Sequence, residues 1–209
     1  MAHLATWYMT KMPSEVVDIM ERDLRSFDKD VKDSEVGAKT GGDRVDKVIR
    51  NSRNTWIPTE HWISGWLWYY INKANNENFC YDLTDIDGGA IQYTQYGEGQ
   101  YYKWHTDADV DVFYKPQIKI ASYANRKEDI TTLQGEYVRK LSFVLQLSDP
   151  SDYKGGEFQM MDNSGGTFFA PKQKGTLILF DSRVRHRVRT VKEGFRKSLV
   201  GWVVGPRWK

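Results

Sequence analysis

Histidine is scarce in this chain, with four in 209 residues, so the position of each one is informative. His105 and Asp107 stand two apart, and on a strand residues i and i+2 point to the same face, so an imidazole and a carboxylate can converge there. His186 lies in the run Arg183-Val-Arg-His-Arg-Val-Arg189, which alternates. Val184, His186 and Val188 share one face, and Arg183, Arg185, Arg187 and Arg189 share the other. The valines mark the inner face, so His186 points inward. Two imidazoles and one carboxylate make a facial donor set with three positions open, the arrangement of a non-haem Fe(II) centre. Spacing alone is weak, because a lone inward His is ordinarily a packed core residue. Arg196 adds weight. With a hairpin centred near residue 193, it lies opposite about Thr190, four residues or roughly 13 Å along a strand from His186. A five-carbon dicarboxylate chelating the metal at one end can bridge that gap to the planar Arg fork.

Short strands position these residues. Ala90 to Tyr96, Lys140 to Leu147, Gly156 to Met161, Thr176 to Phe180, Arg183 to Val191 and Arg196 to Val204 are β-branched or aromatic runs separated by Gly, Pro and Asp turns. A further strand is expected around Arg44 to Ser52. Two helices precede the main run: Pro13 to Phe27, with Val16, Met20, Leu24 and Phe27 in a stripe, and a second capped by Thr59 and running to about Lys73. The apolar residues of the second helix cover so much of its circumference that it should be largely buried. The fold class is therefore α+β: helices first, then a β-sandwich or jelly roll whose edges they cover.

At this point the sequence resembles a known family. Tyr96-Gly-Glu-Gly-Gln-Tyr-Tyr-Lys-Trp-His105-Thr-Asp107 is similar to the prolyl 4-hydroxylase pattern Tyr-x-x-Gly-Gln-x-Tyr-x-x-His-x-Asp. Arg139-Lys-Leu-Ser-Phe-Val-Leu-Gln-Leu-Ser-Asp-Pro150, Tyr153-Lys-Gly-Gly-Glu-Phe158, and His186 with Glu193-Gly-Phe-Arg196-Lys-Ser198 and Trp202 resemble its later strands. The family is the 2-oxoglutarate- and Fe(II)-dependent dioxygenases of the prolyl hydroxylase type, which implies a double-stranded β-helix. The core would span about 90–205 and helical support about 1–89, making one oxygenase domain of the whole chain. The resemblance implies Fe(II) on His105, Asp107 and His186, and the distal carboxylate of 2-oxoglutarate on Arg196. It also implies Tyr96 and Tyr102 lining the cosubstrate pocket, with the Tyr96 hydroxyl on a 2-oxoglutarate oxygen. Collagen-type members carry Lys where Arg196 stands, and oxygen-sensing and many microbial members carry Arg, so the likeness is to the latter. The implied reaction consumes O2 and 2-oxoglutarate, releases succinate and CO2, and hydroxylates a C–H bond. Peptidyl proline in a peptide or protein partner is the first substrate expected, and ascorbate the reductant.

Composition agrees with a soluble enzyme. Thirty Lys and Arg against 28 Asp and Glu leave a net charge of +2, with no global pull toward nucleic acid or an anionic membrane. The only cysteine, Cys80, excludes a disulfide framework and a four-thiolate zinc site, and reads as an inert buried thiol in a reducing, cytoplasmic setting. Met1 to Thr10 lacks a signal pattern, and the most apolar window, Trp62 to Ile71, is ten residues, half of what a bilayer needs. Residues 108–136 form a polar connection that could serve as a substrate lid. Three rivals remain: a hydroxylase of a free amino acid or other small molecule, a non-catalytic jelly-roll binding module, and a nucleic-acid demethylase. Members of the last group resemble one another in a second Arg six residues after the 2-oxoglutarate Arg, where Trp202 stands here.

Overall fold

Alternation along the longest strands sends every second side chain to one of two cores. The computed structural model describes residues 6–37, 43–108, 137–162 and 164–208. Strand β1 (Trp7–Lys11) precedes helix α1 (Ser14–Leu24), which tightens into a 3-10 turn at Arg25–Asp30. Next come β2 (Lys32–Asp33), β3 (Val36–Gly37), β4 (Asp43–Arg44), β5 (Arg50–Asn51), β6 (Arg53–Pro58) and helix α2 (Trp62–Ala74). The remainder is β7 (Asp85–Ile86), β8 (Ala90–Tyr96), β9 (Tyr101–His105), β10 (Tyr137–Gln146), β11 (Tyr153–Gly155), β12 (Phe158–Met161), β13 (Thr167–Phe169), β14 (Thr176–Asp181), β15 (His186–Val188), β16 (Val191–Gly194) and β17 (Arg196–Pro206).

A large antiparallel sheet runs β1-β14-β10-β17-β8-β6-β2, with β7 also on β17. A smaller antiparallel sheet, β13-β12-β15-β9-β5, faces it. Leu141, Phe143, Leu145, Leu177, Leu179, Leu199 and Val203 point from the large sheet to the helices, where they meet Val17, Met20 and Leu24 of α1 and Ile63, Leu67 and Ile71 of α2. Their neighbours Val144, Ile178 and Phe180 point between the sheets to Phe158, Met160, Val184 and Val188. Each such buried apolar side chain contributes about 1.5–3 kcal/mol.

The architecture is the expected double-stranded β-helix with N-terminal helices, and several local expectations change. The helices cover a face of the large sheet rather than the sandwich edges. Helix α2 starts at Trp62 because His61 caps it, its ring accepting from the Ile63 N–H at 3.4 Å. Thr59 instead donates its hydroxyl to the Gly89 carbonyl. Only one stripe of α2 is covered, since a helix on a sheet presents one side to it; Trp66 and Tyr69 remain 41% and 61% exposed. The strand expected over 44–52 is interrupted at Asp46, whose carboxylate accepts the Val48 N–H and whose carbonyl accepts from Ile49 and Arg50, closing a turn. Cys80 is exposed, at the left-handed end of a π-helical turn over Asn75–Phe79. Among the described residues no helix is long and apolar enough to cross a membrane.

Candidate active site

Strands β15 and β9 lie side by side, with His186 opposite His105 and Val188 opposite Tyr102. Between these pairs Arg187 of β15 is thus matched by both Lys103 and Trp104 of β9, a β-bulge. It lets Tyr102 and His105, of opposite parity, both face the inside, where their rings stack with centroids 3.6 Å apart. The inward face of residues 184–188 is as the alternation predicts: Val184, His186 and Val188 are buried, and Arg183, Arg185 and Arg189 are exposed.

Asp107 reaches the site differently from the expected strand parity, because β9 ends at His105. The N–H groups of Asp107 and Ala108 both donate to the Ser182 carbonyl, at 2.9 and 3.0 Å, and this turn aims the carboxylate at the imidazoles. Asp107 Oδ1 lies 3.7 Å from His105 Nε2 and Oδ2 lies 3.5 Å from His186 Nε2. One ligand atom from each of the three falls within 4.8 Å of the others.

Both imidazoles are oriented by their own strands. His105 Nδ1 is 2.8 Å from the Lys103 carbonyl and His186 Nδ1 2.9 Å from that of Val184. A carbonyl can only accept, so each Nδ1 carries a proton, which in the neutral ring leaves the lone pair on Nε2. Burial, with His186 facing it, pushes the His105 imidazole down to about 3, so it is neutral at physiological pH. Burial alone would raise the Asp107 carboxyl, but His186, His105, Arg139 and the Ser142 hydroxyl hold it below its ordinary value. Arg139 in turn is fixed by Asp87 at 2.6 Å and lies 4.1 Å from the centre of the Trp202 ring. Two imidazole nitrogens and one anionic oxygen suit Fe(II).

Arg196 comes from the opposite sheet. The expected hairpin with Thr190 does not form: β16 pairs with β11, whereas Arg196 is opposite Tyr96 of β8 in the large sheet. Arg196 therefore faces the His105, Asp107 and His186 cluster across the sandwich rather than along a strand. It is 1% exposed, and it donates to Gln146 Oε1 at 2.8 Å and Ser198 Oγ at 3.3 Å. Among the described residues no carboxylate pairs with it, and both its Nε and the Gln146 Nε2 are buried donors without acceptors. Donors left open around a buried guanidinium fit an incoming carboxylate. Gly156 makes room for it: at φ +61°, a Cβ there would stand 3.2 Å from Arg196 Cδ and 2.9 Å from Val191 Cγ2.

One cleft brings all six expected residues together: His105, Asp107, His186, Arg196, Tyr96 and Tyr102. The Tyr96 ring lies 5.4 Å from the Arg196 guanidinium carbon. Burial raises the Tyr102 phenol to about 12, so it stays neutral. Val144, Phe158, Phe180 and Trp202 supply apolar walls. Sequence reasoning missed Arg50 and Gln92, which also line the cleft. The expected lid over 108–136 lies, beyond residue 108, outside the described residues.

A family model described as the 2OG-Fe(II) oxygenase superfamily matches residues 91–204, more than half of the chain. The chain belongs to the 2OG-Fe(II) oxygenase superfamily. Fe(II) and 2-oxoglutarate are the cofactor and cosubstrate that the superfamily and the His-Asp-His triad imply. Among curated relatives of this oxygenase, a PKHD-type hydroxylase of Crocosphaera subtropica is 34% identical over 92 residues, 43% of this chain and 39% of the relative. Another from Parvibaculum lavamentivorans is 40% identical over 63 residues, 30% of this chain and 28% of that one. The matches thus span well under half of those relatives' length. Among solved structures, a Pseudomonas putida prolyl-4-hydroxylase aligns with a TM-score of 0.66 at 20% identity, covering 98% of this chain and 94% of that one. A Trichoplax adhaerens prolyl hydroxylase, solved with a hypoxia inducible factor peptide fragment, gives 0.69 at 15% identity, covering 95% and 83%. At these identities the likeness is one of fold, and it agrees with the two facing sheets described above.

Proposed function

We propose that the protein is an Fe(II)- and 2-oxoglutarate-dependent dioxygenase that hydroxylates a C–H bond, with peptidyl proline as substrate, in a single oxygenase domain. The observation that carries this reading is an imidazole and carboxylate triad facing a cleft that also contains a buried arginine with no carboxylate of its own. When bound, iron and 2-oxoglutarate supply the oxidising chemistry, in which O2 is consumed and succinate and CO2 are released.

The chain's own residues supply geometry. His105, Asp107 and His186 hold the ion from one side, and the tethered Nδ1 atoms keep both Nε2 lone pairs aimed at it. Asp107 offsets part of the metal's charge. Arg196 and the open Gln146 amide receive the distal carboxylate of 2-oxoglutarate, with Tyr96 and Tyr102 along its length. Phe158, Phe180, Val144 and Val200 keep water from the reacting centre. Ascorbate serves as reductant, and the lone thiol suits a reducing, cytoplasmic setting. The proline-containing partner is the class suggested by the prolyl hydroxylase neighbours.

Incubation with Fe(II), 2-oxoglutarate, O2 and a panel of prolyl peptides tests the reading. Succinate together with a +16 product by mass spectrometry is expected, and neither should form with His186→Ala. Tight 2-oxoglutarate binding without succinate under any condition would leave a binding module instead.

A further inference from the structure

Arg50 is the second arginine of the described residues buried to less than a tenth exposure, at 7%, and like Arg196 it stands in the wall of the cleft. All the acceptors it reaches are neutral. Nε donates to Ser52 Oγ at 2.9 Å, one terminal nitrogen to the Glu35 carbonyl at 3.3 Å, and the other to Gln92 Oε1 at 2.6 Å. A guanidinium has five N–H donors, so each terminal nitrogen keeps one in reserve. No carboxylate among the described residues pairs with it, although a buried cation without counter-charge is costly. Two other buried charges are neutralised internally, Asp181 by Arg183 and Asp87 by Arg139, whereas Lys140, 3% exposed, is covered by the Trp208 ring.

Position adds to chemistry. The Arg50 guanidinium carbon lies 4.9 Å from the centre of the Tyr102 ring, whose other near neighbour is the His105 ring at 3.6 Å. Arg50 therefore stands one aromatic ring away from a metal ligand, and it comes from the small sheet, whereas Arg196 comes from the large one. The cleft is lined by two buried arginines, and 2-oxoglutarate would account for one of them.

We infer that Arg50 is a specificity-determining residue that receives a carboxylate of the primary substrate. The substrate then presents a free α-carboxylate next to the carbon that reacts, which narrows the peptidyl proline proposed above to the last residue of a peptide, with the free amino acid as the rival outcome of the test. The inference rests on the reading of Arg196 as the 2-oxoglutarate residue. A purely structural Arg50, tying β5 to Glu35 and Gln92, predicts instead that the ligand's charge makes no difference.

The test compares acids with their neutral isosteres on protein loaded with Mn(II) and 2-oxoglutarate. L-proline, L-prolinamide, N-acetyl-L-proline and N-acetyl-L-prolinamide are titrated calorimetrically. At least one acid should bind about tenfold or more tightly than its amide, and Arg50→Gln should bring that ratio to about one while leaving 2-oxoglutarate affinity within about twofold. Preference for L-proline assigns a free amino acid, and preference for N-acetyl-L-proline a chain terminus. Equal binding of acid and amide, a ratio that survives Arg50→Gln, or binding of neither acid overturns the inference. Should Arg50→Gln not fold, Arg50→Lys keeps the charge without the fork, and the ratio should fall at least threefold. If 2-oxoglutarate fails to bind the wild-type protein, or is lost on Arg50→Gln but not on Arg196→Gln, the functional reading itself fails.

Discussion

Strand β17 carries both halves of the molecule along a single backbone. On its helix side Lys197, Leu199 and Val203 meet Glu21 and the apolar faces of α1 and α2. On its inter-sheet side Arg196, Ser198, Val200 and Trp202 line the cleft. The buried charges of the two sides are treated in opposite ways. Asp181, at the rim of the helix-side core, receives the Arg183 fork and the Tyr81 hydroxyl at 2.6 to 2.8 Å. Arg196 meets only neutral acceptors and keeps Nε open. One side is completed by the chain itself, and the other is left for a ligand to complete.

Substitutions on the two sides should separate stability from binding. The largest expected effect is His186→Ala. Loss of a metal ligand should weaken Mn(II) or Fe(II) affinity by more than about 100-fold, beyond the range for outer-shell partners, and remove 2-oxoglutarate turnover. Full turnover in this variant, measured as succinate, would end the metal assignment. Arg196→Ala comes next. Leaving the ligand carboxylate without its buried partner costs on the order of 3–5 kcal/mol, about two to four orders of magnitude in 2-oxoglutarate affinity. The melting temperature should hold or rise, since an uncompensated buried cation is removed. Unchanged affinity would move the carboxylate site elsewhere in the cleft.

The reverse pattern is expected three residues along, at Leu199→Ala. It should cost roughly 2–5 kcal/mol in urea unfolding with 2-oxoglutarate affinity intact, and a variant that keeps its stability would break the division between the faces. The smallest effect belongs to Asp181→Asn, at about 1.5–3 kcal/mol near neutral pH. Burial alone would raise the Asp181 carboxyl, but the Arg183 fork and N–H and the Tyr81 hydroxyl hold it below the ordinary value. The unfolded chain therefore takes up this proton first, and the stabilisation present above about pH 4 is lost as pH falls further. The stability gap between wild type and Asp181→Asn should be smaller at pH 3 than at pH 7; a constant gap would place the contribution elsewhere.

The inward placement of His186 was legible because valines on both sides marked its face, and a period of two survives even where the run 183–191 breaks into separate strands. The placement of Asp107 and Arg196 in the cleft had other physical origins. Asp107 is turned inward by the Ser182 carbonyl after the strand has ended, and Arg196 arrives from the opposite sheet. Long-range pairing of this kind leaves no local periodicity to read. Arg50 was hidden for a related reason: its two-residue strand follows an Asp46 turn, and it is buried only through β9, Gln92 and Glu35 from distant parts of the chain. The outer aromatics of α2 read as core because hydrophobicity alone cannot say which side of a helix meets a sheet.

Each ligand imidazole is already locked by a carbonyl two residues earlier. Little rotamer freedom remains to be lost when an ion arrives, whichever ion that is. A rigid set of two nitrogens and one oxygen, with no thiolate, follows the Irving–Williams order, in which cobalt, nickel, copper and zinc all outrank iron. The site's preparation for Fe(II) is thus equally a preparation for its competitors. Iron occupancy would then be decided by which ion the surroundings offer, and trace zinc in a preparation would compete with iron for the site.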